Sequence, residues 1–180
     1  MRMVIIAILL MFSAVSYSQR NIEYIRDYFR STNLFIDEQL KDGKPCFYEI
    51  IINENIPGAG PSKQNIKIYY SDVLNEYGTQ KQEVVKISKS GNVAAAVTIT
   101  DYLIEKGEVI FAYYCFKPAQ EEQRFYYEKK KLIRSILQSG ESKPVEKNKD
   151  FSLFESHKSS ALQKEAEAYI KTFKLLQEQN

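Results

Sequence analysis

Tryptophan is absent from the 180-residue chain, histidine occurs once, cysteine twice, and 25 basic against 23 acidic residues leave a formal charge of only +2. Each shortage removes a class of function. A charge so near zero gives no long-range positive field, so nucleic acid is not an expected partner. One histidine cannot supply a His pair or a His/Cys cluster, which removes the usual zinc sites. That residue, His157, has no Gly-x-Ser-x-Gly elbow to serve in a triad and reads as an exposed or capping side chain. The two cysteines lack Cys-x-x-Cys spacing, which argues against thiol redox catalysis. Gly58-Ala59-Gly60-Pro61 is glycine-rich, but the Lys-Ser/Thr pair of a phosphate loop does not follow it. Glu121, Glu122 and Glu128 sit around a predicted loop and strand, where carboxylates are usually solvated, and no second feature makes them a glycosidase-type pair. No metal, no cofactor and no enzymatic activity are therefore expected.

The clearest positive signal is at the start. Arg2, an apolar run over residues 4–12 and small residues at Ser16 and Ser18 have the three-part layout of a secretory signal peptide. Cleavage is expected after Ser18, leaving Gln19 at the new terminus. The apolar run falls well short of the roughly 20 residues needed to cross a bilayer, so the mature chain is read without an integral membrane span. No cysteine stands directly after the run, so lipid attachment at that point has no acceptor. The expected destination is the periplasm or the outside of the cell.

With 44% hydrophobic and 27% charged residues, the mature chain 19–180 has the size and apolar content of one domain. Residues 19–43 are predicted as a helix: Ile22, Ile25, Phe29, Ile36 and Leu40 recur at helical spacing, and Asp42-Gly43 with Pro45 supplies a stop. Ser31-Thr32-Asn33 are poor helix formers and mark a place where that helix could break. Residues 46–137 read as an antiparallel meander of about six or seven strands, since short strands joined by short loops cannot make parallel crossovers. Predicted strands cover 46–53, 65–70, 83–88, 93–104, 109–116, 124–128 and 132–137, with 55–62 as a loop and Ser90-Gly91-Asn92 as a stop. The strand over 109–116 is apolar on both faces, with Val109, Phe111, Tyr113 and Cys115 one way and Ile110, Ala112, Tyr114 and Phe116 the other. It should lie inside the sheet. Residues 138–150 read as a polar linker. A second helix over 151–177 opens on Ser152-x-x-Glu155, the spacing of a capping box, and carries Leu162, Ala166, Tyr169, Phe173 and Leu176 on one stripe that Ile170 and Leu175 widen. The fold class is α+β, with the two helices expected as cover on one side of the sheet.

Three motifs resemble those of a group of short exported bacterial proteins without assigned function: Ile25-Arg26-x-Tyr28, the Lys-Gly-Glu-Val-Ile-Phe-Ala-Tyr hairpin over 106–113, and Gln-Arg-Phe-Tyr-Tyr over 123–127 followed by Lys-Leu-Ile-Arg over 131–134. The resemblance spans most of the mature chain and implies a shared fold. It carries no functional residues with it. Glu128-Lys129-Lys130-Lys131 stands where such proteins more usually turn through Asn-Gly or Asp-Gly.

Three features are left as candidates for function. Cys46 and Cys115 either pair, as an exported protein permits, or remain two buried thiols. Tyr69, Tyr113, Tyr114, Tyr126 and Tyr127, drawn from thirteen tyrosines and ten phenylalanines, could form one aromatic sheet face that meets a partner or holds an apolar ligand. Lys129, Lys130, Lys131 and Arg134 are the densest basic patch, either an anion-binding surface or a solvated turn. A protein or peptide partner is preferred as the function, with a carrier of a small apolar molecule as the alternative and an enzyme of unidentified class third.

Overall fold

The computed structural model describes residues 2–74, 77–93 and 96–178, with residues 2–20 and 93 as backbone only. The leader expected over residues 1–18 and its cleavage site lie outside the described side chains. Two helices, α1 (Arg2–Lys41) and α2 (Leu153–Gln177), flank eight strands: β1 (Phe47–Ile56), β2 (Gly60–Leu74), β3 (Gln80–Val93), β4 (Ala96–Glu105), β5 (Glu108–Phe116), β6 (Glu121–Glu128), β7 (Lys131–Ser139) and β8 (Val145–Lys147). They form one antiparallel sheet in sequence order, β1 to β8. The fold is α+β, as expected, with eight strands rather than the six or seven predicted.

The extra strand comes from the stretch read as a linker. Val145, Glu146 and Lys147 pair with Leu137, Ile136 and Ser135 of β7. Two other expected interruptions are absorbed into strands. The loop over 55–62 shrinks to 57–59, because Asn55 pairs with Pro61 and Ile56 with Gly60. Pro61 is tolerated because it lies just beyond the last pair that β2 makes with β3, Ser62 with Val93, so its missing N–H breaks no ladder bond. Gly91 is paired on both sides, with Gln64 and Thr98, and continues β3 rather than ending it.

Nor does α1 break at Ser31-Thr32-Asn33. The Ser31 hydroxyl donates to the Tyr28 carbonyl at 3.0 Å, Thr32 is buried, and the Asn33 Oδ1 accepts from the Lys86 ammonium at 2.9 Å. Tertiary contacts thus offset the weak local propensity. The helix ends as predicted at Gly43, whose φ of +67° lets the Lys44 amide reach back to the Gln39 carbonyl at 3.0 Å. Ser152 caps α2, its side chain accepting from the Glu155 amide while the Glu155 carboxylate accepts from the Ser152 amide.

The helices lie on opposite faces of the sheet, not together on one. Ile22 and Ile25 of α1 pack with Leu103, Phe111, Tyr126 and Ile136. Leu162, Ala166, Ile170 and Phe173 of α2 pack with Tyr102, Ala112, Phe125 and Tyr127. Phe125, Tyr126 and Tyr127 are consecutive, and side chains along a strand alternate between faces, so these two clusters are separated by the sheet itself. The apolar character of β5 on both faces required this. Two residues assigned to helix stripes face solvent instead, Leu40 (45% exposed) and Leu175 (51%).

Three β-bulges adjust the faces. The register skips Val85 opposite Tyr69/Tyr70, Ile110 opposite Leu103/Ile104, and Ile133 opposite Tyr126/Tyr127. All three lie in odd-numbered strands that run the same way. A bulge breaks the strict alternation, so Val109 joins the α2 side and Ile110 the α1 side, the reverse of the expected order.

Candidate functional site

The candidate cysteines do not meet. Cys46 and Cys115 are both free thiols, Cys46 buried and Cys115 half-buried. Cys46 continues β1, its carbonyl accepting from the Tyr70 amide at 2.9 Å, while Cys115 lies in β5. Four strand spacings of roughly 4.8 Å separate them, against at most about 7 Å between the Cα atoms of a disulfide.

The five tyrosines do not share a face either. Tyr126 and Tyr113 lie with the α1 cluster, Tyr127 and Tyr114 with the α2 cluster, and Tyr69 precedes Tyr70 of the α2 cluster by one residue, which turns it to the α1 side. Tyr127 is fully buried and donates to the Ser159 carbonyl of α2 at 3.3 Å. Among the basic residues, Lys129 and Lys130 form the two-residue turn between β6 and β7. Lys130 reaches Glu167 of α2 at 3.2 Å and Arg134 pairs with Glu146 of β8, so the patch is divided between two faces. His157 is exposed. Among the described residues no group of three or more His, Cys, Asp or Glu side chains is placed to hold a metal ion.

Two polar networks fasten α2. The Glu155 carboxylate, 1% exposed, accepts from Ser135 of β7 at 2.6 Å, Lys147 of β8 at 2.5 Å, and the hydroxyl and amide of Ser152 at 2.7 and 2.8 Å. Burial opposes its charge, but these donors outweigh burial and hold the carboxyl down at about 2. Nearly three turns further along the helix, Glu165 accepts from Lys89 at 2.5 Å, from the buried Tyr102 hydroxyl and from Tyr169 at 3.2 Å. Burial again works against the carboxylate, and Lys89 and Tyr102 overcome it, so its pKa is lowered. Burial and the neighbouring carboxylate push the Tyr102 hydroxyl far up. Lys158 stands 3.5 Å over the Tyr114 ring. These groups satisfy one another and fasten the helix to the sheet. Sequence spacing revealed only Ser152 with Glu155, because Ser135, Lys147, Lys89 and Tyr102 are contributed by distant strands.

On the α1 side the helix leaves a cleft on each flank. On one, Asn21, Tyr24, Ile25, Glu105, Glu108, Ile110, Glu128 and Lys129 line an open cleft of about 390 Å³ at the hairpin-turn end of the sheet. The Tyr24 hydroxyl donates to Glu105 at 2.5 Å, which with burial pushes its pKa up to about 12. On the other flank, a slot of about 150 Å³ lies between Ile25, Phe29, Phe111 and Tyr126, rimmed by Arg26 and Arg30. Its aromatic walls are in mutual contact, Phe29 edge-on to Phe111 at 5.7 Å and Phe111 against Tyr126 at 5.0 Å. Arg30 meets only Asp27, in a pair about three-quarters exposed (74% and 73%), and Arg26 meets no carboxylate among the described residues. Along the strands beyond the slot, the same face continues through half-buried Tyr113, Cys115, Arg124 and Glu122, with Arg124 bonded to Glu122 at 2.7 Å. The slot escaped the sequence reading because Arg26 and Arg30 look like the solvated side of an amphipathic helix until Phe111 and Tyr126 are brought beside them.

The fold and site define an α+β protein with a two-faced antiparallel meander and an aromatic slot beside its N-terminal helix. No protein-family model, curated protein or solved structure matches the chain. Among the described residues no helix is long and apolar enough to cross a membrane.

Proposed function

We propose that the protein is exported and acts by binding rather than by catalysis, taking a protein or peptide partner on the α1 side of the sheet. The observation that carries this reading is the slot between Phe29, Phe111 and Tyr126 with two guanidinium groups at its rim. Aromatic walls that admit one apolar side chain, bordered by Arg, have the composition of an interface anchor point. The half-buried face beyond it supplies a polar surround. The alternative, a carrier of a small apolar ligand, gains its support from the same walls, but a cavity of about 150 Å³ is small beside the roughly 300 to 1,000 Å³ of ordinary ligand pockets.

The test is capture from the native exported fraction by the wild type and by Arg26→Glu/Arg30→Glu, with extraction of bound lipid in parallel. Both arginine side chains are exposed, so the fold should be unchanged by circular dichroism. A protein or peptide retained by the wild type and weakened at least tenfold in the double variant is expected, in line with loss of interfacial arginines. Extractable lipid or metabolite in place of protein would favour the carrier. Retention indifferent to both substitutions would end the assignment to this slot.

A further inference from the structure

The two edges of the sheet are unequal. β8 is three residues long, too short to template another strand. β1 runs for ten residues, about 33 Å at the usual rise, without proline, lysine or bulge. The Cys46 carbonyl accepts from the Tyr70 amide, so by alternation the even-numbered residues of β1 address β2. Phe47, Glu49, Ile51, Asn53 and Asn55 therefore present their N–H and C=O groups outwards. Among the described residues none of these outward groups enters a backbone hydrogen bond. Such an edge is an unfilled row of donors and acceptors.

We propose that β1 is a homodimer interface, in which the β1 strands of two copies pair antiparallel about a two-fold axis through Ile51. The sequence is self-complementary in that register. Ile51 faces Ile51, Ile50 faces Ile52 twice, and Glu49 faces Asn53, so no carboxylate meets another. Shifting the axis to Ile50 sets Glu49 against Ile51, and shifting it to Ile52 sets Glu54 against Ile50. Ile50 and Ile52 already pack at the margin of the α2-side core, so the central register extends that core across the axis. On the opposite face Ile51, 51% exposed in the single chain, gains its own copy as cover. The result is one continuous sheet shared by two copies, the isologous geometry that closes on itself and leaves only the two short β8 strands as edges.

Sedimentation equilibrium of the purified chain over a dilution series tests this. A monomer–dimer equilibrium is expected. Ile51→Pro removes an outward donor without touching the ladder to β2 and should leave a folded monomer. Asn53→Lys places an ammonium opposite Glu49 twice per dimer and should tighten association roughly fivefold, whereas Asn53→Glu places like charges there and should weaken it by a similar factor. A wild type that stays monomeric throughout, a dimer unaffected by Ile51→Pro, or Asn53→Lys and Asn53→Glu shifting association in the same direction would overturn the proposal.

Discussion

A carboxylate that is 1% exposed stays ionised only when donors replace the water it has lost, and at Glu155 four hydrogen bonds do so. Because they come from β7, β8 and the α2 N-cap, one side chain ties three elements together. Glu155→Gln should cost about 2 to 3 kcal/mol in urea unfolding, since it removes the charge and leaves the Lys147 ammonium without its partner. The pH dependence has a definite sign. The carboxyl is held near 2 in the fold against an ordinary 4.5, so its contribution is complete above about pH 5 and is lost as pH falls towards 2. The stability gap between wild type and Glu155→Gln should therefore shrink over that window, and a gap constant down to pH 2 would contradict the assignment. At this scale the sequence was readable where partners are neighbours. Ser152 and Glu155 announce their box three residues apart, whereas Ser135 and Lys147 carry no local sign that they will converge on it.

Turns and bulges show how far an element departs from its pattern. Among the described residues, the two-residue hairpin turns Lys106-Gly107 and Lys129-Lys130 place both residues at positive φ, the type I′ arrangement that suits the right-handed twist of a hairpin. Glycine at 107 meets this at no steric cost, while Lys129 (φ +47°) and Lys130 (φ +63°) occupy a region that lysine disfavours. Lys129→Asn with Lys130→Gly should raise stability by about 1 kcal/mol, read as an upward shift in the urea midpoint with unchanged slope. The lost Lys130–Glu167 pair subtracts little, being 62% and 51% exposed. No gain, or a loss, would show that these lysines contribute more than a turn. The strands themselves were legible from aromatic and β-branched runs. The bulges were not, because an extra residue in a ladder is defined by the facing strand, and Val109 and Ile110 exchange sides for that reason alone.

For the whole molecule, the sheet is a partition between two cores. Substitutions in different cores should act independently: Leu103→Ala on the α1 side at about 2 to 5 kcal/mol, Ile170→Val on the α2 side at about 1, and the double variant at their sum within about 0.5. A larger coupling, measured by denaturant unfolding of all four proteins, would mean that the two helices communicate through the sheet. The sequence by itself determined the α+β class, the sequential meander, the caps of both helices and the central place of β5, because each follows from periodicity and turn chemistry within a few residues. Only the tertiary structure decided that the helices part to opposite faces, that the tyrosines divide between them, that Cys46 and Cys115 stay free, and that Arg26 and Arg30 border an aromatic slot. Those outcomes depend on which strands lie side by side and on which way a bulge turns them, and a chain read one segment at a time holds no record of either.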